Sequence, residues 1–419
     1  MSSVNQLWLK MLYKQPTNPC LISPKHFVFS PTSHVLSFIS VLLSSAQSPL
    51  TSLASPLVRR MLLLALLLPT ARATTYTNPV LATNTPDPGV LALSSGGWAI
   101  VATSDHATSP TTQPALPLYY SPDLISWQPQ GHVFPAGAWP VWAVKNMWAP
   151  EIHFVGGRHL VYFSGSAPNG RHSIGVAVST TESPFGPYED LGTPLVYHNE
   201  DSIVGPIDQN YFLDPSTGRH YLLWKTDHLV GLHISSVVIQ KLRKDGLGFV
   251  EGSSPQQIME DDDLPNEQRI VEGPWMMYKD GAYFLFYSSS LFQLPSYHVG
   301  VGRASHLLGP YTKAASPVVQ TDWEKYHAGE NCTWEGPGHG SVVEDAAGHW
   351  WLLYHSWAFG HLDREPGRLL LLDRLTWQGF PSTELWPRVE GGVPSDTERE
   401  GPRVEGGVPS DTEREGPQA

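Results

Sequence analysis

From residue 74 to residue 396 one pattern of polar and apolar positions recurs along the chain. A polar or charged residue opens it, a short apolar strand follows, glycine marks a turn, and a strand dense in aromatics closes it. The copies read DPGVLALSSGGWAIVATS from Asp87, WAPEIHFVGGRHLVYFSGS from Trp148, DQNYFLDPSTGRHYLLWKT from Asp208, EGPWMMYKDGAYFLFYSSS from Glu272 and HGSVVEDAAGHWWLLYHS from His339, so their starts lie 61, 60, 64 and 67 residues apart. Turns such as Gly156-Gly157, Asp280-Gly281 and Ala347-Gly348 are hairpin signals, because glycine accepts the positive φ that tight hairpin turns demand. A second strand pair follows each copy, as in SYHVGVGRASHLLGPY and GRLLLLDRLTW.

Four strands per repeat, five times over, predict an all-β fold: a five-bladed β-propeller with four-stranded antiparallel blades. A β-sandwich also gives alternating strands, but not five copies in register. In a propeller the first strand of every blade lines the central channel. The residues that open the copies, Asp87, Trp148, Asp208, Glu272 and His339, are therefore expected to meet at one end of it.

The ends fall outside the repeat. Residues 59–73, RRMLLLALLLPTARA, join two arginines, an apolar run and an Ala-Arg-Ala cleavage pattern, the anatomy of a signal peptide. The apolar run is well short of the ~20 residues of a membrane-spanning helix, so secretion is expected rather than a membrane anchor, with His34–Ala46 as an alternative signal. Residues 1–73 read as a leader, 1–58 being an upstream extension before a start at Met61, and 74–396 as the propeller domain. Residues 397–419 read as a disordered tail, since PRVEGGVPSDTEREG occurs twice in tandem from Pro387 and is too polar to bury a core.

Composition narrows the partners. Fifteen Trp, 16 Tyr and 14 Phe suit a large β core and also stacking against sugar rings. A formal net charge of −13 with 26 Lys plus Arg leaves no basic footprint for nucleic acid or an anionic membrane, and a monomer is expected. Cys20 lies in the leader, which leaves Cys332 without a disulfide partner, and no Cys/His cluster suggests zinc. Asn331-Cys332-Thr333 is a glycosylation sequon.

The chemistry follows from the three acids. Breaking a glycosidic bond takes one carboxylic acid to protonate the leaving oxygen and one carboxylate to activate water or attack the sugar. A third carboxylate beside the acid raises its pKa by like-charge repulsion. Taken singly, Asp87 in Thr-Pro-Asp-Pro-Gly fits a turn, Asp208 a strand cap and Glu272 a surface acid; their shared phase favours one site. Glu151, three residues later in its copy, reads as a structural partner. Trp148 fits either core or sugar platform, Arg368 either a ligand for a sugar hydroxyl or half of a salt bridge, and His339, between two glycines, either a channel-floor water or ion ligand or a hydrogen-bonded structural residue.

At these residues the chain resembles glycoside hydrolase family 43, the arabinanase, arabinofuranosidase and β-xylosidase group of five-bladed propellers. Asn78-Pro79-Val80 with Pro86-Asp87-Pro88 resembles the motif of the family's general base, Ile207-Asp208 before Tyr211-Phe212 that of the aspartate that modulates the acid's pKa, and Glu272-Gly273-Pro274 that of the general acid. Met147-Trp148-Ala149-Pro150-Glu151 and Gly338-His339-Gly340-Ser341 resemble two further family motifs, in blades two and five. The resemblance implies secreted, inverting hydrolysis of arabinose- or xylose-containing carbohydrates, with acid and base about 6.5–9.5 Å apart and no required cofactor. Some arabinanase-like members hold a calcium ion near the corresponding histidine, which would make His339 a metal residue. The departure is Gln209-Asn210, where many members carry a small pair such as Pro-Ser. Two other readings remain: a retaining fructan- or sucrose-cleaving relative with Asp87 as nucleophile, and an inactive propeller that binds glycans.

Overall fold

The computed structural model describes residues 74–105, 109–198, 205–227, 235–261, 268–330, 332–379 and 385–404. The leader, Asn331 of the sequon and the chain beyond 404 lie outside the described residues.

The dominant feature is the alternation of apolar side chains to both faces of the second strand of a blade. In Arg158–Ser166, Val161 and Phe163 pack toward one neighbouring sheet, while Leu160 and Tyr162 pack toward the other. Successive side chains of a strand point to opposite faces, so a strand buried on both faces reads as a continuous hydrophobic run rather than an alternating one. That is why the aromatic-dense strands carry runs such as LVYF, YLLW and WWLLY.

Five small antiparallel sheets result, each from consecutive strands. Blade one holds Gly89–Ala92, Trp98–Val101, Ala115–Ser121 and Gln128–Phe134. Blade two holds Lys145–Val155, Arg158–Ser166, His172–Ser179 and Tyr188–Asp190. Blade three holds Ile207–Asp214, Arg219–Asp227, Ser235–Leu242 and Gln256–Glu260. Blade four holds Val271–Lys279, Ala282–Ser289, His298–Ala304 and Thr312–Lys313. The five-bladed propeller expected from the repeat is the fold observed.

Apolar layers between neighbouring sheets carry the packing. One joins blades one and two through Val101, Leu118, Ile152 and Phe163, the next joins two and three through Tyr162, Tyr211 and Trp224, and a third joins three and four through Leu223, Met276 and Leu285. The largest joins blade four to five and five back to one, through Phe286, Trp351, Leu371 and Ile100.

Blade five shows how the ring closes. Its strands Trp334–Glu344, Trp350–Ala358 and Arg368–Gly379 come from the C-terminal part, and the strand that pairs beside them, Leu81–Asn84, comes from the N-terminal part. Leu385–Val389 pairs with Arg368–Gly379 as well, and Thr75–Tyr76 pairs with Arg399–Glu400. Ordered pairing thus runs three residues and more past the boundary expected at 396. Asn78 pins this closure: its Oδ1 accepts from Leu372 N–H at 2.9 Å, and its Nδ2 donates to Leu372 O at 3.1 Å and to Ser395 Oγ at 2.9 Å.

Asn78→Ala removes the acceptor of the Leu372 amide, while the Leu372 carbonyl keeps the Tyr76 O–H at 2.7 Å, a loss of about 1–3 kcal/mol. Thermal denaturation of the variant should show a lowered midpoint; an unchanged midpoint would mean that the terminal clasp does not hold the ring.

Candidate active site

A residue in left-handed conformation breaks four of the inner strands and precedes the fifth, that of blade one. These residues are Asp87 (φ 53°), Ala149 (φ 43°), Asp208 (φ 58°), Gly273 (φ 54°) and His339 (φ 48°). The strand register jumps at the last four of them, as expected of a bulge that re-aims a side chain. Trp148 and Glu272 fall one residue earlier than the bulge, so the common phase read from the sequence is displaced by one position in blades two and four. Gly273 is required where it stands: a Cβ there would lie 3.0 Å from His339 Nδ1, on a backbone with positive φ.

A second set of five residues faces the bulges. Trp148, Ile207, Glu272 and Gly338 pair across their blades with Ser164, Lys225, Ser288 and His355, and in blade one Thr103 N–H donates to Pro86 O. Side chains of this set bind the following blade. Thr103 Oγ1 accepts from Ala149 N–H at 2.6 Å, Ser288 Oγ accepts from His339 N–H at 2.7 Å, and His355 Nδ1 accepts from Asp87 N–H at 3.1 Å. Ser164 donates to Gln209 Oε1 at 2.9 Å, and Lys225 donates to Glu272 Oε2 at 2.7 Å.

Asp87 is 8% exposed. Arg368 Nη1 donates to its Oδ1 at 2.8 Å and Thr103 Oγ1 to its Oδ2 at 2.6 Å, while His339 Nδ1 lies 3.4 Å and His355 Nδ1 3.3 Å from Oδ1. Burial opposes charge on Asp87, yet the Arg368 guanidinium, with His339 after it, holds its carboxyl well below the usual carboxylate range. Burial, with Arg368 adding to it, pushes the His355 imidazole down to about 4, so the ring is neutral at pH 7. Its Nδ1 accepts from the Asp87 amide, which assigns the proton to Nε2, an atom without a hydrogen-bond partner among the described residues.

Asp208 is 7% exposed, and its Oδ2 accepts from Gly273 N–H at 3.0 Å. Burial raises its carboxyl from 3.8 to about 6; His339 and Lys225 oppose the rise, while Glu272 and Asp87 add to it. Glu272 is gripped at both oxygens, by Lys225 at Oε2 and by Tyr297 O–H at Oε1, 2.8 Å away. Burial lifts the Tyr297 phenol far above its ordinary value, and the charges of Glu272, Asp87 and Asp208 lift it further, so it remains a donor. The Tyr297 ring stacks on His355 with centroids 5.9 Å apart. Asp87, Asp208 and Glu272, from three blades, thus belong to one connected network.

Arg368 forms a salt bridge: Nη1 meets Asp87, Nη2 meets Asp105 at 2.7 Å, and the guanidinium lies 4.8 Å over the Phe292 ring. Trp148 is half-buried and stacks on His172, with centroids 4.4 Å apart. Glu151 is structural, accepting from Asn210 Nδ2 at 2.8 Å and from Tyr211 N–H at 3.3 Å. Gln209 and Asn210 are cross-links between blades: Gln209 bonds the Ala149 and Tyr162 carbonyls, and Asn210 Oδ1 accepts from Met276 N–H at 2.9 Å.

The calcium expected beside His339 does not fit the donor set. Calcium takes six to eight oxygen ligands, whereas His339 offers an imidazole nitrogen and Asp87 already binds Arg368 and Thr103. Among the described residues no group of three or more His, Cys, Asp or Glu side chains is arranged to hold a metal ion. His339 instead packs against Gly273 and Asp87.

The repeat phase taken from the inner strands passes over Thr103, Lys225, Ser288, Tyr297 and His355. Four of these carry a signal of their own. Thr103, Ser164, Lys225, Ser288 and His355 each end the aromatic-dense strand of their copy and lie 61, 61, 63 and 67 residues apart. Tyr297 lies in the loop before His298–Ala304 and has no counterpart in the repeat.

Comparison with known proteins places this chain in a family. The model for glycosyl hydrolases family 43 matches residues 76–381, and the chain belongs to that family: it is a glycoside hydrolase. The extracellular exo-alpha-(1->5)-L-arabinofuranosidase ArbA of Cellvibrio japonicus is 26% identical over 305 residues, 67% of this chain and 82% of that protein. The non-reducing end alpha-L-arabinofuranosidase BoGH43B of Bacteroides ovatus is 26% identical over 341 residues, but the chain spans only 55% of that relative's length. The crystal structure of a thermostable family-43 glycoside hydrolase superimposes with a TM-score of 0.63 at 26% identity, covering 78% of this chain and 99% of that one.

The raised carboxyl of Asp208 has a consequence for stability. A carboxyl that titrates higher folded than unfolded favours the folded state at low pH, and that contribution is lost as pH rises from 3.8 through about 6. Asp208→Asn removes this loss. Denaturant midpoints of the two proteins should diverge across that window, in favour of the variant at higher pH; curves that stay parallel would contradict a proton held on Asp208.

Proposed function

We propose that the protein is a secreted, inverting glycosidase of arabinose- or xylose-containing polysaccharides or oligosaccharides, with Asp87 as general base, Glu272 as general acid and Asp208 as the group that tunes the acid. The observation that carries this reading is the network itself, in which three carboxylates from separate blades meet around Gly273 and His339. Arg368 keeps Asp87 ionised, the state in which it draws a proton from water. Glu272 protonates the departing oxygen as the bond breaks, and Asp208, ionised above about pH 6, places beside it the negative charge that favours the protonated acid. Trp148, backed by His172, supplies a platform for a sugar ring.

Substrate class rests on the relatives: ArbA, BoGH43B and the extracellular endo-alpha-(1->5)-L-arabinanase 1 of Bacillus subtilis, 26% identical over 289 residues, are named for arabinofuranosides and arabinan. Secretion rests on the signal-like anatomy of residues 59–73 and on the extracellular names of two of those relatives.

Wild type and Glu272→Gln are to be assayed on nitrophenyl arabinofuranoside, nitrophenyl xyloside and debranched arabinan. On the polysaccharide the variant should lose at least about a hundredfold in kcat, the usual worth of general acid catalysis. Proton NMR of the first product should show the anomer opposite to that of the bond cleaved. Release of the same anomer would establish the retaining alternative, and equal, negligible rates for both proteins would remove the enzymatic role of Glu272.

A further inference from the structure

At one register position the five blades carry Thr103, Ser164, Lys225, Ser288 and His355. Three of these accept the N–H of the next blade's left-handed residue. An ammonium has no lone pair and cannot do so. Where Lys225 stands, the bond pattern is therefore rerouted. The Gly273 N–H goes to Asp208 Oδ2, and Lys225 Nζ donates to Glu272 Oε2 at 2.7 Å. One cation in an otherwise neutral or weakly basic ring thus sits directly on the carboxyl assigned as general acid.

Lys225 and Glu272 side chains are each 13% exposed, so solvent screens their attraction far less than it would at the surface. Burial disfavours charge on Lys225, but Glu272 and Asp208, with a smaller share from Asp227, raise it above its ordinary value, so it is an ammonium at neutral pH. Lys225 meets Glu272 from blade three and Tyr297 from blade four, Asp208 accepts the N–H of the adjoining Gly273, and His339 packs against Gly273 and lies 3.4 Å from Asp87. Only Lys225 among its direct partners carries a charge, since the Tyr297 phenol is neutral. A neighbouring cation favours the ionised carboxyl and a neighbouring carboxylate the protonated one, so Lys225 and Asp208 act on Glu272 in opposite directions.

We propose that Lys225 is a positioning residue that aims the Glu272 carboxyl and sets the upper pH limit of catalysis, acting against Asp208. The inference rests on Glu272 being the general acid. An inactive orientation is avoided because Lys225 and Tyr297 take one oxygen each, which fixes the plane of the carboxyl. The same ammonium places a positive charge 2.7 Å from Glu272 Oε2, so removing it changes the charge that the acid faces.

The test is the pH profile of kcat/KM on an arabino-oligosaccharide for wild type, Lys225→Met, Lys225→Arg and Glu272→Gln. Lys225→Met should move the alkaline limb upward by about one to three pH units, the usual worth of an opposite charge at this distance, and lower kcat at the optimum. Lys225→Arg should keep the limb near its original place. If Lys225→Met does not fold, Lys225→Gln is read in the same way. A uniform loss at all pH values with an unmoved alkaline limb would overturn the proposal and leave Lys225 a structural residue. The two failures are distinguishable: a Glu272→Gln variant as active as wild type removes the acid assignment itself, whereas an inactive Glu272→Gln with an unmoved limb in Lys225→Met removes only the role of the lysine.

Discussion

The arrangement of the site depends on one recurring interaction: a side chain at the end of each blade's second strand reaches across to the bulge of the next blade. Left-handed backbone at a residue other than glycine costs of order 1–3 kcal/mol and persists only where the surroundings over-determine it. Here Thr103, Ser288 and His355 bind the amides of Ala149, His339 and Asp87. The bulges re-aim side chains that a regular strand would have sent into the apolar layers between sheets. The same bonds connect neighbouring blades around the channel, so the proposed base and its neighbours are built into the packing of the ring.

Ring closure and the charge on Asp87 are coupled through Arg368. The closing strand Leu81–Asn84 lies against Arg368–Gly379, where Asn84 Oδ1 accepts from Arg368 N–H at 2.9 Å. Arg368 then bridges Asp87 and Asp105 above Phe292. A buried carboxylate needs a partner to stay charged, and this partner is positioned by the strand that joins the two ends of the domain.

Much of the fold was legible because a propeller repeats. Five copies with a glycine turn and a strand buried on both faces leave a continuous apolar run in every aromatic-dense strand, and no helix or sandwich imitates that spacing. The site was legible in part. Asp87, Asp208 and His339 share one phase because each is the left-handed residue itself, whereas Glu272 and Trp148 precede that residue by one position, which a count of residues does not reveal. Ring closure by Leu81–Asn84 left no mark in the repeat, because the strand that completes the last blade lies at the other end of the sequence. Lys225 and His355 look like ordinary strand ends; their meaning comes from which blade they face. Gln209 shows the opposite case, since a residue that stands out in the sequence as a departure from the family pattern binds other parts of the protein in the fold.

The central claim is that acids from three blades act on one bond, and non-additivity measures that most directly. Effects of residues that work as a unit do not multiply, while those of independent sites do. With Asp87→Asn, Glu272→Gln and the double variant compared by kcat/KM on one arabino-oligosaccharide, the double loss should be close to that of the more damaging single change. A double loss equal to the product of the two single losses would show that the two carboxyls act separately, and would contradict the account.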